Sequence, residues 1–185
     1  LNSDDILLKQ FNELLEYISK NNNIDFFTAP VVFFKRPKYN IRRVYLSFPN
    51  KINPIKRLIY SSTPAHPGFI CNLELLKKNK FDLGYKIGAD YNQICKIVSN
   101  VKYKRKVFNK PIIAMAMGGK SNTIKGLKSN MLEVKKINFK LKFGEKLYIR
   151  YLRNILQHIF PIFLCQKLNL KKISKELEIN ANIKI

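Results

Sequence analysis

Four short clusters in this chain of 185 residues carry groups that can do chemistry. Leu1-Asn2-Ser3-Asp4-Asp5 sets two carboxylates side by side, the oxygen donors a hard divalent cation takes. An ion held there can offset the charge of a diphosphate leaving group. The same residues also suit a helix start, because an apolar series at helical spacing follows: Leu7, Phe11, Leu14, Leu15 and Ile18. Thr63-Pro64-Ala65-His66-Pro67 puts a histidine in a loop, where it can move a proton or meet a phosphate. Two prolines beside it can equally do no more than fix a turn.

Tyr85-Lys86-Ile87-Gly88-Ala89-Asp90-Tyr91-Asn92 places Asp90 at the start of a helix, behind two small residues that leave room for a ligand. A carboxylate oriented in that way can take a proton from a hydroxyl. The competing reading is an ordinary aspartate at a helix N-terminus, where it complements the unpaired N–H groups. Met117-Gly118-Gly119-Lys120-Ser121-Asn122 joins a double glycine to polar residues, which suits close backbone approach to a ligand or a simple turn. It is not a phosphate-binding Walker loop, since the upstream spaced glycine is missing.

The elements that must position these groups follow from periodicity. A helix is expected from the two aspartates through Ile18, and strands over Ile24–Phe34 and Arg42–Phe48. Asn50–Pro67, with three prolines, reads as an irregular connection. Helices are expected over Leu73–Lys78 and after Gly88, the latter with Tyr91, Ile94, Cys95 and Val98 on one face. Lys102–Met117 reads as a strand ending at the double glycine, and Ser121–Ile137 as loop and helix. Beyond Gly144 the residues Leu147, Tyr148, Tyr151, Leu152, Ile155, Leu156 and Ile159 form a stripe flanked by Lys146, Arg150 and Arg153, a basic amphipathic helix. A basic tail follows, Lys167 to Lys175.

Composition sets outer limits. With 46% hydrophobic and 12% aromatic residues the chain can bury a sizeable core. A net charge of +23 attracts polyanions: nucleic acid, anionic membrane or phosphorylated small molecules. The 28 lysines outnumber the 7 arginines, and arginine is the usual choice for bidentate phosphate recognition. Cys71, Cys95 and Cys165 are far apart, which excludes a CxxC zinc site and suits a reducing compartment. No apolar run reaches the ~20 residues that span a bilayer.

Taken in order, LNSDDIL, TPAHPGFIC, FDLGYKIGADYNQICKIV and MAMGGKSN resemble bacterial family 2 glycosyltransferases, from Leu1 to about Phe160. The resemblance implies an α/β fold: the C-terminal part of a GT-A, Rossmann-like domain, a mixed sheet flanked by helices. It implies residues 1–140 as the acceptor-side part of the catalytic domain and 141–185 as a basic amphipathic helix and tail. Asp4 and Asp5 then take the place of the metal-binding DXD-like motif, with Asn2 where many members carry Asp. His66, Gly118, Gly119, Ser121 and Asn122 contact substrate, and Asp90 is the catalytic base; Gly88 replaces a commoner Ala.

The implied activity is inverting transfer of a sugar from a nucleotide-sugar, with Mn or Mg as cofactor, to a glycan or lipid-linked acceptor in cell-surface polysaccharide synthesis. A cytoplasmic site is implied, peripheral at the inner membrane, where the basic C-terminal helix either meets anionic lipid or packs on the domain. A nucleotide-gripping βαβ portion is expected upstream of Leu1. Two other readings remain: a basic nucleic-acid-binding module and a non-catalytic remnant of such an enzyme. The first predicts basic residues gathered in one stripe. Here they are spread along the chain, so no nucleic-acid partner is expected.

Overall fold

The computed structural model describes residues 5–35, 40–45, 58, 63–117, 124–143, 173, 175 and 177. In chain order these form β1 (Ile6–Leu7), α1 (Gln10–Ser19), β2 (Phe26–Thr28), β3 (Val31–Lys35), β4 (Asn40–Tyr45) and a 3-10 turn (His66–Gly68). There follow β5 (Phe69–Cys71), α2 (Leu73–Lys78), α3 (Ala89–Ser99), β6 (Arg105–Val107), β7 (Ile113–Ala116) and α4 (Ile124–Lys140). The architecture is mixed α/β, with small mixed sheets flanked by helices.

One sheet has the order β1-β7-β3-β4, the other β5-β2-β6. Two long strands were expected, and each is broken in two. The first crosses from one sheet to the other at Ala29-Pro30, the second between Val107 and Ile113, where Pro111 lies. Proline donates no ladder hydrogen bond, so each break falls where the sequence removes a donor. The crossings are matched: β2 runs parallel to β6 and β3 parallel to β7. The Phe108 N–H, donating to the Thr28 carbonyl at 2.9 Å, holds the two crossings together.

Strand alternation sorts the core. Phe26 belongs to the cluster of Tyr91, Ile94, Cys95 and Ile97 from α3 with Val134 and Ile137 from α4. Its neighbour Phe27 points the other way, to Leu14 of α1 and Ile112. Helices thus cover both faces of β2, as period 2 demands. The ring of Tyr17 meets Phe27 edge-on at 6.0 Å.

The first helix begins later than expected. Ile6 and Leu7 pair with Ala114 and Ile113 as β1, and α1 starts at Gln10 behind Lys9, with no side-chain cap. Asp5 therefore does not cap a helix; it precedes an edge strand whose Ile6 is buried. Leu7 and Leu15 are exposed rather than part of a buried stripe, while Leu14 is fully buried. Helices α2 and α3 fall where expected, and α3 is buried nearly all round.

The predicted stripe Leu147–Ile159 lies outside the described residues. Ile173 and Leu177, a helical turn apart, are buried against Ile6, Leu8, Val32 and Phe34. Among the described residues no helix is long and apolar enough to cross a membrane.

Candidate functional site

Helix α3 is the scaffold of the site. Asp90 lies in its first turn, and its Oδ1 accepts the Tyr91 N–H at 2.6 Å. That bond fixes the carboxylate and leaves Oδ2 on the outer side. Oδ2 lies 4.0 Å from Nδ1 of His66, and the two side chains are 43% and 53% exposed. At that separation there is room for a hydroxyl to join them but no direct hydrogen bond. The Pro64-Ala65-His66-Pro67 loop and the start of α3 thus bring these two side chains near each other.

His66 is held by the 3-10 turn it opens. Pro67 follows it, and the Phe69 N–H closes the turn on the His66 carbonyl. Gly68 is buried, and its carbonyl accepts the Ala29 N–H at 2.8 Å. The turn touches both α3 and β7, so it joins the sheet to the helix that carries Asp90. Only glycine fits at 68: a Cβ there would lie 2.3 Å from the Ala29 carbonyl oxygen.

His66 also stands at the edge of a groove of about 700 Å³, lined by Phe69, Cys71, Leu76, Phe81 and Gln93, with Lys77 and Lys80. Burial pushes the Cys71 thiol up to about 11, so it remains a neutral, apolar part of the wall. Gln93 is fixed by donation to the Asn79 carbonyl at 2.8 Å. A mostly apolar lining with a few polar groups is the usual form of a small-molecule site.

Two residues with a part in the site were not singled out from the sequence. Glu133, on α4, accepts the N–H groups of Lys86 at 3.1 Å, Ile87 at 2.9 Å and Gly88 at 2.7 Å. These donors lead into α3, so one carboxylate holds the entry to the helix that presents Asp90. The fit depends on Gly88, where a Cβ would stand 3.1 Å from Ile137 Cδ1 and 3.3 Å from Glu133 Oε2. A signal was available, since Glu133 is the sole acidic residue of Ile124–Lys140. The other is Asn92, fully buried on α3, whose side-chain amide has no hydrogen-bond partner among the described residues. Leaving such a group without a partner costs about 1–3 kcal/mol.

Burial opposes the charge on Glu133, but the N–H groups of Ile87, Gly88 and Lys86, with Lys136 nearby, outweigh it and hold its carboxyl below the usual range. A depressed carboxyl stabilises the fold above its ordinary titration range and loses that effect as pH falls through its folded value. Glu133→Gln is expected to lower stability by about 1 kcal/mol at neutral pH, water replacing part of the lost bonding. The deficit should shrink as pH drops below the ordinary glutamate value of 4.5. Urea unfolding at a series of pH values checks this, and a deficit that does not change with pH would contradict it.

Asp5 is buried, 5% exposed, at the start of β1. β1 pairs with β7, which touches the His66 turn. Among the described residues no group of three or more His, Cys, Asp and Glu gathers to hold a metal. A magnesium-type ion on a diphosphate needs only one or two carboxylates, so an aspartate oxygen is a fitting donor. Asp4, Gly118, Gly119, Ser121 and Asn122 lie outside the described residues. Cys71 and Cys95 are free thiols. Comparison of the chain with models of known families and with curated proteins gives no match to either.

Proposed function

We propose that this chain is the acceptor-side part of an inverting glycosyltransferase of the GT-A type, with Asp90 as the base. The observation that supports it most is the approach of Asp90 Oδ2 to His66 Nδ1 at 4.0 Å, with His66 also lining a mostly apolar groove. The four sequence motifs, in their order, supply the family.

In this reading the acceptor lies in the groove and offers one hydroxyl between His66 and Asp90. Asp90 Oδ2 takes its proton as the oxygen attacks the anomeric carbon of the donor sugar. The bond from that carbon to the phosphate oxygen breaks, and the electron pair leaves with the nucleoside diphosphate. Base and leaving group stand on opposite sides of one carbon, so configuration inverts. The Tyr91 N–H fixes Oδ1, so Oδ2 is the proton acceptor. Gly118, Gly119, Ser121 and Asn122 contact substrate. Asp5, with Asp4, would hold Mn or Mg, which when bound offsets diphosphate charge. The product belongs to cell-surface polysaccharide synthesis at the cytoplasmic face of the inner membrane.

The test is release of nucleoside diphosphate from a panel of nucleotide-sugars with glycan and lipid-linked acceptors and Mn or Mg. It is run on this chain and on the same chain extended by its upstream sequence. Acceptor-dependent release by the extended chain is expected, and it should cease when the metal is chelated. No release from either form with any donor would overturn the proposal in favour of a remnant.

A further inference from the structure

Helix α4 has two unlike faces. Val134, Ile137 and Asn138 are buried, 1%, 0% and 0% exposed, against α3 and the sheet. Tyr91 donates its hydroxyl to Asn138 Oδ1 at 2.8 Å, which fixes the rotation of the helix. On the opposite side Leu132 and Phe139 are 56% and 79% exposed. They lie two turns apart, so at about 100° per residue they share one line along the surface.

Lysines flank that line. Lys128, Lys135 and Lys136 are all exposed, and the same helical spacing sets them on either side of Leu132 and Phe139. Glu133 lies near Lys136 but spends its oxygens on the backbone N–H groups at 86–88, so it offsets these lysines only in part. At the end of the helix Lys140 meets Asp82 at 3.3 Å, which brings the loop bearing Leu83, 91% exposed, to the same end.

We propose that this face of α4 docks on an anionic lipid bilayer. Leu132 and Phe139 enter the headgroup boundary, and Lys128, Lys135 and Lys136 meet lipid phosphates. Each rival occupant leaves part of the face unused. A second copy packed face to face would set lysines against lysines. Nucleic acid would take up the lysines but leave Leu132 and Phe139 without a partner, and α4 carries no arginine for base or bidentate phosphate contacts. An anionic bilayer surface takes up the apolar line and the cationic flanks together. The inference does not depend on sugar transfer.

The full chain is floated with vesicles of phosphatidylcholine alone and of phosphatidylcholine mixed with phosphatidylglycerol. Binding to the mixed vesicles only is expected, and it should weaken with salt. A variant with Lys128→Gln, Lys135→Gln and Lys136→Gln should bind roughly fivefold more weakly per lysine, about a hundredfold in all. Leu132→Ser with Phe139→Ser should lose at least roughly tenfold. Both variants change exposed residues, so unaltered melting temperatures are expected. Equal binding to neutral vesicles, or binding indifferent to either variant, would overturn the proposal. So would dimerisation through this face, or lysine-dependent retention on DNA, without vesicle binding.

Discussion

Asp90→Asn is expected to lower sugar transfer by roughly 100- to 10,000-fold, the usual worth of a positioned general base. Asparagine has the same shape, and its Oδ1 can still accept the Tyr91 N–H that fixes the aspartate at 2.6 Å. The side chain is 43% exposed, so no buried charge is removed and the fold should be unaffected. Nucleotide-sugar affinity should therefore stay within about twofold while turnover collapses, the sign of an interaction made in the transition state. His66→Gln is expected to cost less, about tenfold: His66 does not hydrogen-bond Asp90, and in the proposed mechanism it only orients the hydroxyl. Steady-state rates and direct donor binding on the chain with its upstream sequence separate these effects. Equal losses in both variants would mean that His66, not Asp90 alone, moves the proton.

The second large effect is on stability. Gly68→Ala would place a methyl group 2.3 Å from the Ala29 carbonyl oxygen and 2.9 Å from Val31 Cγ2. The first obstacle is backbone at the crossing from β2 to β3, and it cannot swing aside as a side-chain tip can. Relief requires the turn to withdraw, which breaks the 2.8 Å bond from the Ala29 N–H to the Gly68 carbonyl. A cost of about 3 kcal/mol is expected, from overpacking together with one lost buried bond. In a chain of this length that corresponds to a melting temperature lower by roughly 6–12 °C. Circular dichroism melts check it; an unchanged midpoint would mean that the turn does not press on the crossing. Because the turn carries His66, a surviving fold should still show weakened acceptor binding.

Much of the scaffold was legible in the sequence, and the rest failed for identifiable reasons. The segment after Gly88 announces its helix, since Tyr91, Ile94, Cys95 and Val98 recur on one face and all four are buried. Strand identity was also legible, but not strand length. Pro30 and Pro111 were visible, yet only the paired chain shows that both strands change sheets side by side. Leu7 matched a helical series by spacing, and tertiary pairing with Ile113 made it part of a strand instead.

The site divides in the same way. His66 and Asp90 could be picked out because histidine between prolines and aspartate at a helix start are local signals. Their meeting is a tertiary fact. Glu133 has no local signal beyond being one acid among lysines. Its role arises from the packing of α4 on α3, which brings it to three N–H groups that lie far back in the chain. Asn92 was in view as part of the Asp90 segment, but burial without a partner cannot be read from a letter. The helix-cap reading of Asp5 fell once a strand was found to follow it, because the helix begins only at Gln10.

The central claim, a single carboxylate base opposite the leaving group, is tested most directly by the stereochemistry of the product. The chain with its upstream sequence is given an α-linked nucleotide-sugar, and the new glycosidic bond is read by proton NMR before any anomerisation. The account predicts a β-linkage, formed by one in-line displacement with Asp90 as base. An α-linked product would require retention of configuration and contradict that role for Asp90.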